Sequence, residues 1–155
     1  MHKSNRAAPS ELEAHLGFWL RFVSNNVSKR FQQLLEAEGV SVTAWVALRT
    51  LWGLERATHN DLIQALGMTK GAISKIVSRL EEKGLAQRRG DHESLRDQVL
   101  VLTVAGAELV PRLAALADEN DKHFFGHLSA KEHGSLMAAM RALVERHQLK
   151  DIPTT

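Results

Sequence analysis

Residues 67–91, GMTKGAISKIVSRLEEKGLAQRRGD, constrain the fold more tightly than any other stretch of this chain. Ala72, Ile73, Ile76, Val77 and Leu80 recur at three- and four-residue steps, which defines one buried face of a helix. The opposite face carries Lys70, Ser74, Lys75, Ser78 and Arg79, with Gly71 leaving a gap among them. Thr69 can cap this helix and Gly84 can close it. Just before it, Thr58 with Asp61 opens a short helix, HNDLIQAL, that ends at Gly67. Two helices joined by the tight turn LGMT match a helix-turn-helix.

The period changes after Gly84. LAQRR and QVLVLT are short β-favouring runs around the polar turn GDHESLRD, and they read as a two-stranded hairpin. On the N-terminal side, Ser10 with Glu13 signals a capping box for a long helix reaching about Glu38, where Gly39 stops it. Thr43 can cap a second helix ending near Trp52 and Gly53. Beyond the hairpin, Thr103 precedes a helix from about Val104 to Leu128, in which Pro111 should give a kink or mark a shifted start. Ser129 with Glu132 opens a last helix to about His147.

The expected architecture is therefore mainly α with a small β-hairpin. It is a winged helix-turn-helix in residues 39–103, between a helical arm in 1–38 and two helices in 104–155. Such a motif places its second helix in the DNA major groove, so the polar face of that helix meets base edges and phosphates.

Charge distribution agrees with this. The 155 residues carry a net charge of only +2, but residues 69–96 hold seven basic and four acidic side chains. In residues 104–128 the balance reverses, with two basic and four acidic. A locally basic segment in a near-neutral chain is a directed surface for an anion. The absence of cysteine excludes disulfides, thiolate metal sites and thiol redox switches. No apolar run is long enough to span a bilayer and the N-terminus lacks the apolar core of a signal peptide, so a cytoplasmic location is expected.

From DLIQALGMTKGAISKIVSRLEEKGLAQRR through the wing to VLTVAGAELVPRL, the chain resembles the multiple-antibiotic-resistance regulator (MarR) family of transcription factors. In that family a wing ending in Asp-x-Arg leads after five residues into Leu-Thr, and Arg96 stands at that interval before Leu102 and Thr103. Ser94 replaces the usual Asp of the wing motif. The resemblance implies a homodimer held by the first and last helices, so that residues 1–38 and 104–155 serve dimerisation, on a pseudo-palindromic operator, and a repressor released by a small aromatic ligand, often phenolic.

On this reading Thr69, Lys70, Gly71, Ser74, Lys75, Ser78 and Arg79 face DNA. Arg88 and Arg89 alternate on the first wing strand, so at most one of them faces phosphate, while Arg96 enters a minor groove from the wing. For the effector, Trp45, Arg49 and Trp52 share one helical face, and an arginine between tryptophans suits an aromatic carboxylate. Trp19 and Phe22 would line such a cleft, His15 would donate to a ring hydroxyl or nitrogen, and Arg112 would be a second cation.

No cofactor and no metal are expected, but rival readings exist. His123 and His127, four apart on an expected helix, have a zinc-compatible spacing that would make the chain a metal-responsive repressor or a small metal-dependent hydrolase. The hydrolase lacks any His-Glu-x-x-His motif, since KEH at 131–133 is not one. A constitutive DNA-binding protein without an effector shares every DNA-facing feature.

Overall fold

A computed structural model describes residues 7–90, 98–150 and 153. The order is α1 (Leu16–Ala37), α2 (Val42–Leu54), β1 (Arg56–Ala57), α3 (His59–Leu66), α4 (Lys70–Glu82), β2 (Ala86–Arg89), β3 (Val99–Leu102), α5 (Val104–Phe125) and α6 (Ala130–Arg146). This is the mainly helical winged architecture expected from the sequence.

Local signals explain most boundaries. Thr58 and Asp61 form a complete capping box on α3, and Gly67 closes that helix in the left-handed conformation at φ 64°. The Thr69 hydroxyl accepts from the Ala72 amide to start α4, and Gly84 follows its end at φ 68°. Ser129 and Glu132 box the start of α6.

Other expectations are corrected. Ser10 caps nothing: a 3-10 turn at Leu12–Ala14 precedes α1, and extended His15 caps that helix without a side-chain bond. The Trp19 indole donates to the Glu13 carbonyl at 2.9 Å, folding the arm back over the first turn of α1. Ser41, not Thr43, caps α2, because its hydroxyl lies 3.1 Å from the Ala44 amide. The wing hairpin is part of a three-stranded antiparallel sheet, since Arg56 and Ala57 pair with Val101 and Leu100 on the free edge of β3. Two residues are too few for a recognisable alternation, so this strand is set by its partner and not by its own pattern.

Helix α5 runs unbroken from Val104 through Pro111, so the proline marks no shifted start. The helix ends at Phe125, not Leu128, because Gly126 caps it and Ser129 already begins α6. His127 therefore lies in the α5–α6 connection, and the helical His123–His127 pair does not form.

The core collects one face from each element of the winged part: Leu35, Leu48, Leu51, Leu62, Ile73, Val77, Leu80, Leu100 and Leu113 are fully buried. Each such side chain contributes about 1.5–3 kcal/mol on burial. Besides Val110 and Leu113 in this core, polar contacts fasten α5 to its neighbours. At its start, Thr103 donates its amide to the Leu85 carbonyl at 3.1 Å and its hydroxyl to the Gly84 carbonyl. Further along, buried Asn120 donates to the Val27 carbonyl and accepts from Arg30, both at 3.1 Å, and Arg30 pairs with Glu119 at 3.2 Å.

Gly106 permits the first attachment. A Cβ there would lie 2.0 Å from the Leu85 carbonyl oxygen, on backbone that cannot swing away. Gly106→Ala should therefore lower stability by about 1–3 kcal/mol, although alanine is the better helix former. Urea denaturation at fixed protein concentration checks this; a variant as stable as wild type would show that α5 is not held at this spacing.

Candidate nucleic-acid interface

Helix α4 is held from one side only. Ile73, Val77 and Leu80 anchor it in the core, with Ala72 and Ile76 half-buried beside them. Thr69, Lys70, Gly71, Lys75, Ser78 and Arg79 are exposed, and Ser74 is half-buried. Nothing lies within 4 Å of a Cβ built at Gly71, so this part of the helix surface is low and open. Lysines and serines around a low spot can approach a groove closely and donate to base edges or phosphates.

The first wing strand extends this surface. Arg89 is exposed, whereas Arg88 is half-buried with its Nε 2.7 Å from a Glu81 carboxylate oxygen on α4. The pair, roughly one-third exposed on each side, fixes the wing strand against the recognition helix. Arg96 and Ser94 lie outside the described residues.

Between α3, α4 and β2 the surface sinks into an open cleft of about 700 Å³, lined by Thr58, His59, Asn60, Ile63, Lys70, Ser74 and Arg88. Burial, then the Arg88 and Lys70 charges, hold the His59 imidazole below its ordinary pKa, and Glu81 opposes them weakly. The Asp61 carboxyl is held below the usual range by the Thr58 amide and hydroxyl that it caps. The sequence reading found Lys70, Ser74 and Arg88 but missed His59, Thr58 and Asn60. Their only signal was position, at the first turn of the helix that precedes the recognition helix.

The residues proposed for an effector are dispersed. Trp45 is half-buried with its ring edge-on to Phe31 at 6.4 Å, so it contributes to the core boundary. Arg49 is exposed one turn on, with its guanidinium 3.8 Å from a Cβ built at Gly53, and Trp52 is exposed beyond it. Trp19 and Phe22 are 48% and 58% exposed on α1. His15 Nδ1 lies 3.2 Å from the Leu12 carbonyl. Arg112 is ion-paired with Glu38, which leaves it braced between α5 and the end of α1. Trp19, Val23, Phe124, Leu136 and Met140 line a second, apolar groove of about 740 Å³ between α1, α5 and α6, and Arg49 is not on its wall.

Among the described residues no group of three or more His, Asp or Glu side chains is placed to hold a metal ion. His123 stands edge-on to Phe124 at 4.9 Å. No helix among the described residues is long and apolar enough to cross a membrane.

Comparison with known proteins agrees with this geometry. Residues 40–97 match the model of the MarR family. The chain is 23% identical over 138 residues to the HTH-type transcriptional regulator SarZ of Staphylococcus haemolyticus, covering 89% of this chain and 92% of that protein. Among solved structures, Bordetella bronchiseptica BpsR, described for the regulation of its DNA binding by 6-hydroxynicotinic acid, superposes with a TM-score of 0.72 at 20% identity. The match covers 88% of this chain and 97% of BpsR. S. aureus MepR, solved as a DNA complex, superposes with a TM-score of 0.71 at 24% identity over 86% of this chain and 97% of its own.

Proposed function

We propose that this chain, whose residues 40–97 match the MarR family model, is a DNA-binding transcriptional regulator and not an enzyme: a homodimeric repressor released by a small aromatic acid or phenol. The observation that carries this reading is the division of the molecule into two unlike surfaces. The face of α4 is polar and cationic, while the faces of α1 and α6 are apolar and uncovered in the single chain.

Helix α6 has no buried residue at all, yet Leu136, Met137, Met140, Leu143 and Val144 lie along it. Leu16, Trp19, Leu20 and Val23 are likewise exposed on α1. An apolar surface of this continuity belongs in an interface. In this reading a second copy covers it and buries both sets of helices, so that residues 1–38 and 104–155 serve dimerisation and 39–103 serve DNA binding. The two α4 helices of the dimer then enter successive major grooves of a pseudo-palindromic operator, about one DNA turn apart.

The effector reading rests on Trp45, Arg49 and Trp52 on α2. Arg49 is an exposed planar cation beside an exposed indole, suited to bidentate bonding of a carboxylate and stacking on an aromatic ring. Trp19, Phe22 and His15 become walls of a site only where a second chain covers α1, so effector binding and dimer geometry are coupled. The regulation of BpsR by 6-hydroxynicotinic acid makes hydroxylated aromatic acids the first compounds to try. Such a ligand acts by favouring a dimer whose recognition helices have the wrong spacing. Arg112 braces the fold through Glu38 and has a smaller part.

Two variants test the reading against a duplex carrying the DNA upstream of the chain's own gene. Lys75→Ala should weaken binding by about 1–3 kcal/mol and relax specificity at one position. Unchanged affinity in a folded variant removes α4 from the interface. Arg49→Ala should bind the duplex as wild type does and lose release by a hydroxynicotinic or hydroxybenzoic acid. Release at the same ligand concentration as wild type excludes Arg49 as the carboxylate clamp.

A further inference from the structure

The cleft between α3, α4 and β2 has the chemistry of an oxyanion seat. Lys70 and Arg88 supply charge, and Thr58, Asn60 and Ser74 supply neutral hydrogen-bonding groups, around an Ile63 floor. The end of α3 is not what would hold the anion. Thr58 and Asp61 already satisfy each other there, at 2.8 and 3.1 Å, and Asp61 brings a negative charge to that end. Side chains must do the holding.

Two features make His59 the unusual member. Its Nδ1 is buried and has no hydrogen-bond partner among the described residues, a costly state for a ring nitrogen. It also faces an unbalanced set of charges. Lys70 and Glu81 come from α4 and Arg88 from β2, while Asp61 stands two residues on in its own helix. Glu81 is engaged with Arg88 at 2.7 Å and Asp61 with the Thr58 amide, which leaves Lys70 without a carboxylate partner among the described residues.

We propose that this cleft seats one backbone phosphodiester of bound DNA, and that His59 takes up a proton as the phosphate enters, so that operator affinity is proton-linked. The proposal rests on the DNA-binding reading above. In the free protein a charged His59 would sit, partly desolvated, beside Lys70 and Arg88, which holds the imidazole below its ordinary pKa. A phosphodiester reverses that balance. Its negative charge offsets the two cations and favours a third, and it supplies an acceptor for an imidazolium N–H. The His59 pKa is then higher in the complex than in the free protein. Protons are bound on association, so affinity must rise as the pH falls between those two values and level off outside them.

The test is the duplex affinity of the full chain at fixed ionic strength, read by fluorescence anisotropy between about pH 6 and pH 8. Wild type should tighten as the pH falls, by up to about tenfold per pH unit for each subunit. His59→Gln, which cannot titrate, should show a shallower slope whatever its absolute affinity, the remaining slope coming from the other histidines. The same slope in both proteins overturns the proposal. An independent readout needs no variant: the His59 ring-proton resonance of wild type should titrate at higher pH with the duplex than without it. A titration midpoint unmoved by DNA also overturns the proposal. Duplex binding without a His59-dependent slope removes only the seat, whereas no duplex binding at any pH removes the DNA-binding reading and the seat together.

Discussion

Helix α5 reaches the winged part of the molecule through backbone-to-backbone contact at Gly106, and the rest of the arrangement depends on that closeness. The Leu85 carbonyl, which accepts from the Thr103 amide, lies at the junction between α4 and β2. The C-terminal end of the recognition helix, the start of the wing and the start of α5 are thus one rigid knot. Farther along, Asn120 and Arg30 fasten the same helix to α1. A displacement of α1 against α5 therefore has a direct mechanical route to the DNA-facing helix. Packed interfaces of this kind shift between discrete arrangements and do not deform continuously, so such a displacement moves α4 as a unit.

The charged groups are arranged around the same knot. Arg88 lies between Glu81 and the α3–α4 cleft, so one guanidinium both fixes the wing strand and contributes positive potential at the surface. Lys70 and Lys75 are left free of carboxylate partners among the described residues, and Lys83 instead donates to the Gly39 carbonyl. Their charge is available to an anion outside the molecule, where counterion release from DNA makes it effective.

Most of the winged part was legible in the sequence because its elements carry their own punctuation. Thr58 with Asp61, Gly67, Thr69 and Gly84 each satisfy a local backbone requirement, and local requirements can be read locally. What escaped was non-local. Strand β1 exists only because β3 offers an edge, and Ser41 displaces Thr43 as a cap through the path of the loop that precedes α2. The cleft at His59 needs three elements to meet, so no spacing announces it. The effector residues show the opposite limit. Trp45, Arg49 and Trp52 do follow one face, but helical periodicity cannot tell a half-buried aromatic packed against the core, such as Trp45, from an exposed one such as Trp52.

The central claim is that two copies of α4 read successive major grooves. Methylation protection of guanine N7, an atom in the major groove, measures this directly on the upstream duplex. Two protected patches about one helical turn apart, appearing together at a stoichiometry of two chains per duplex, are the predicted result. A single patch, or binding that leaves every guanine N7 reactive, would contradict the account.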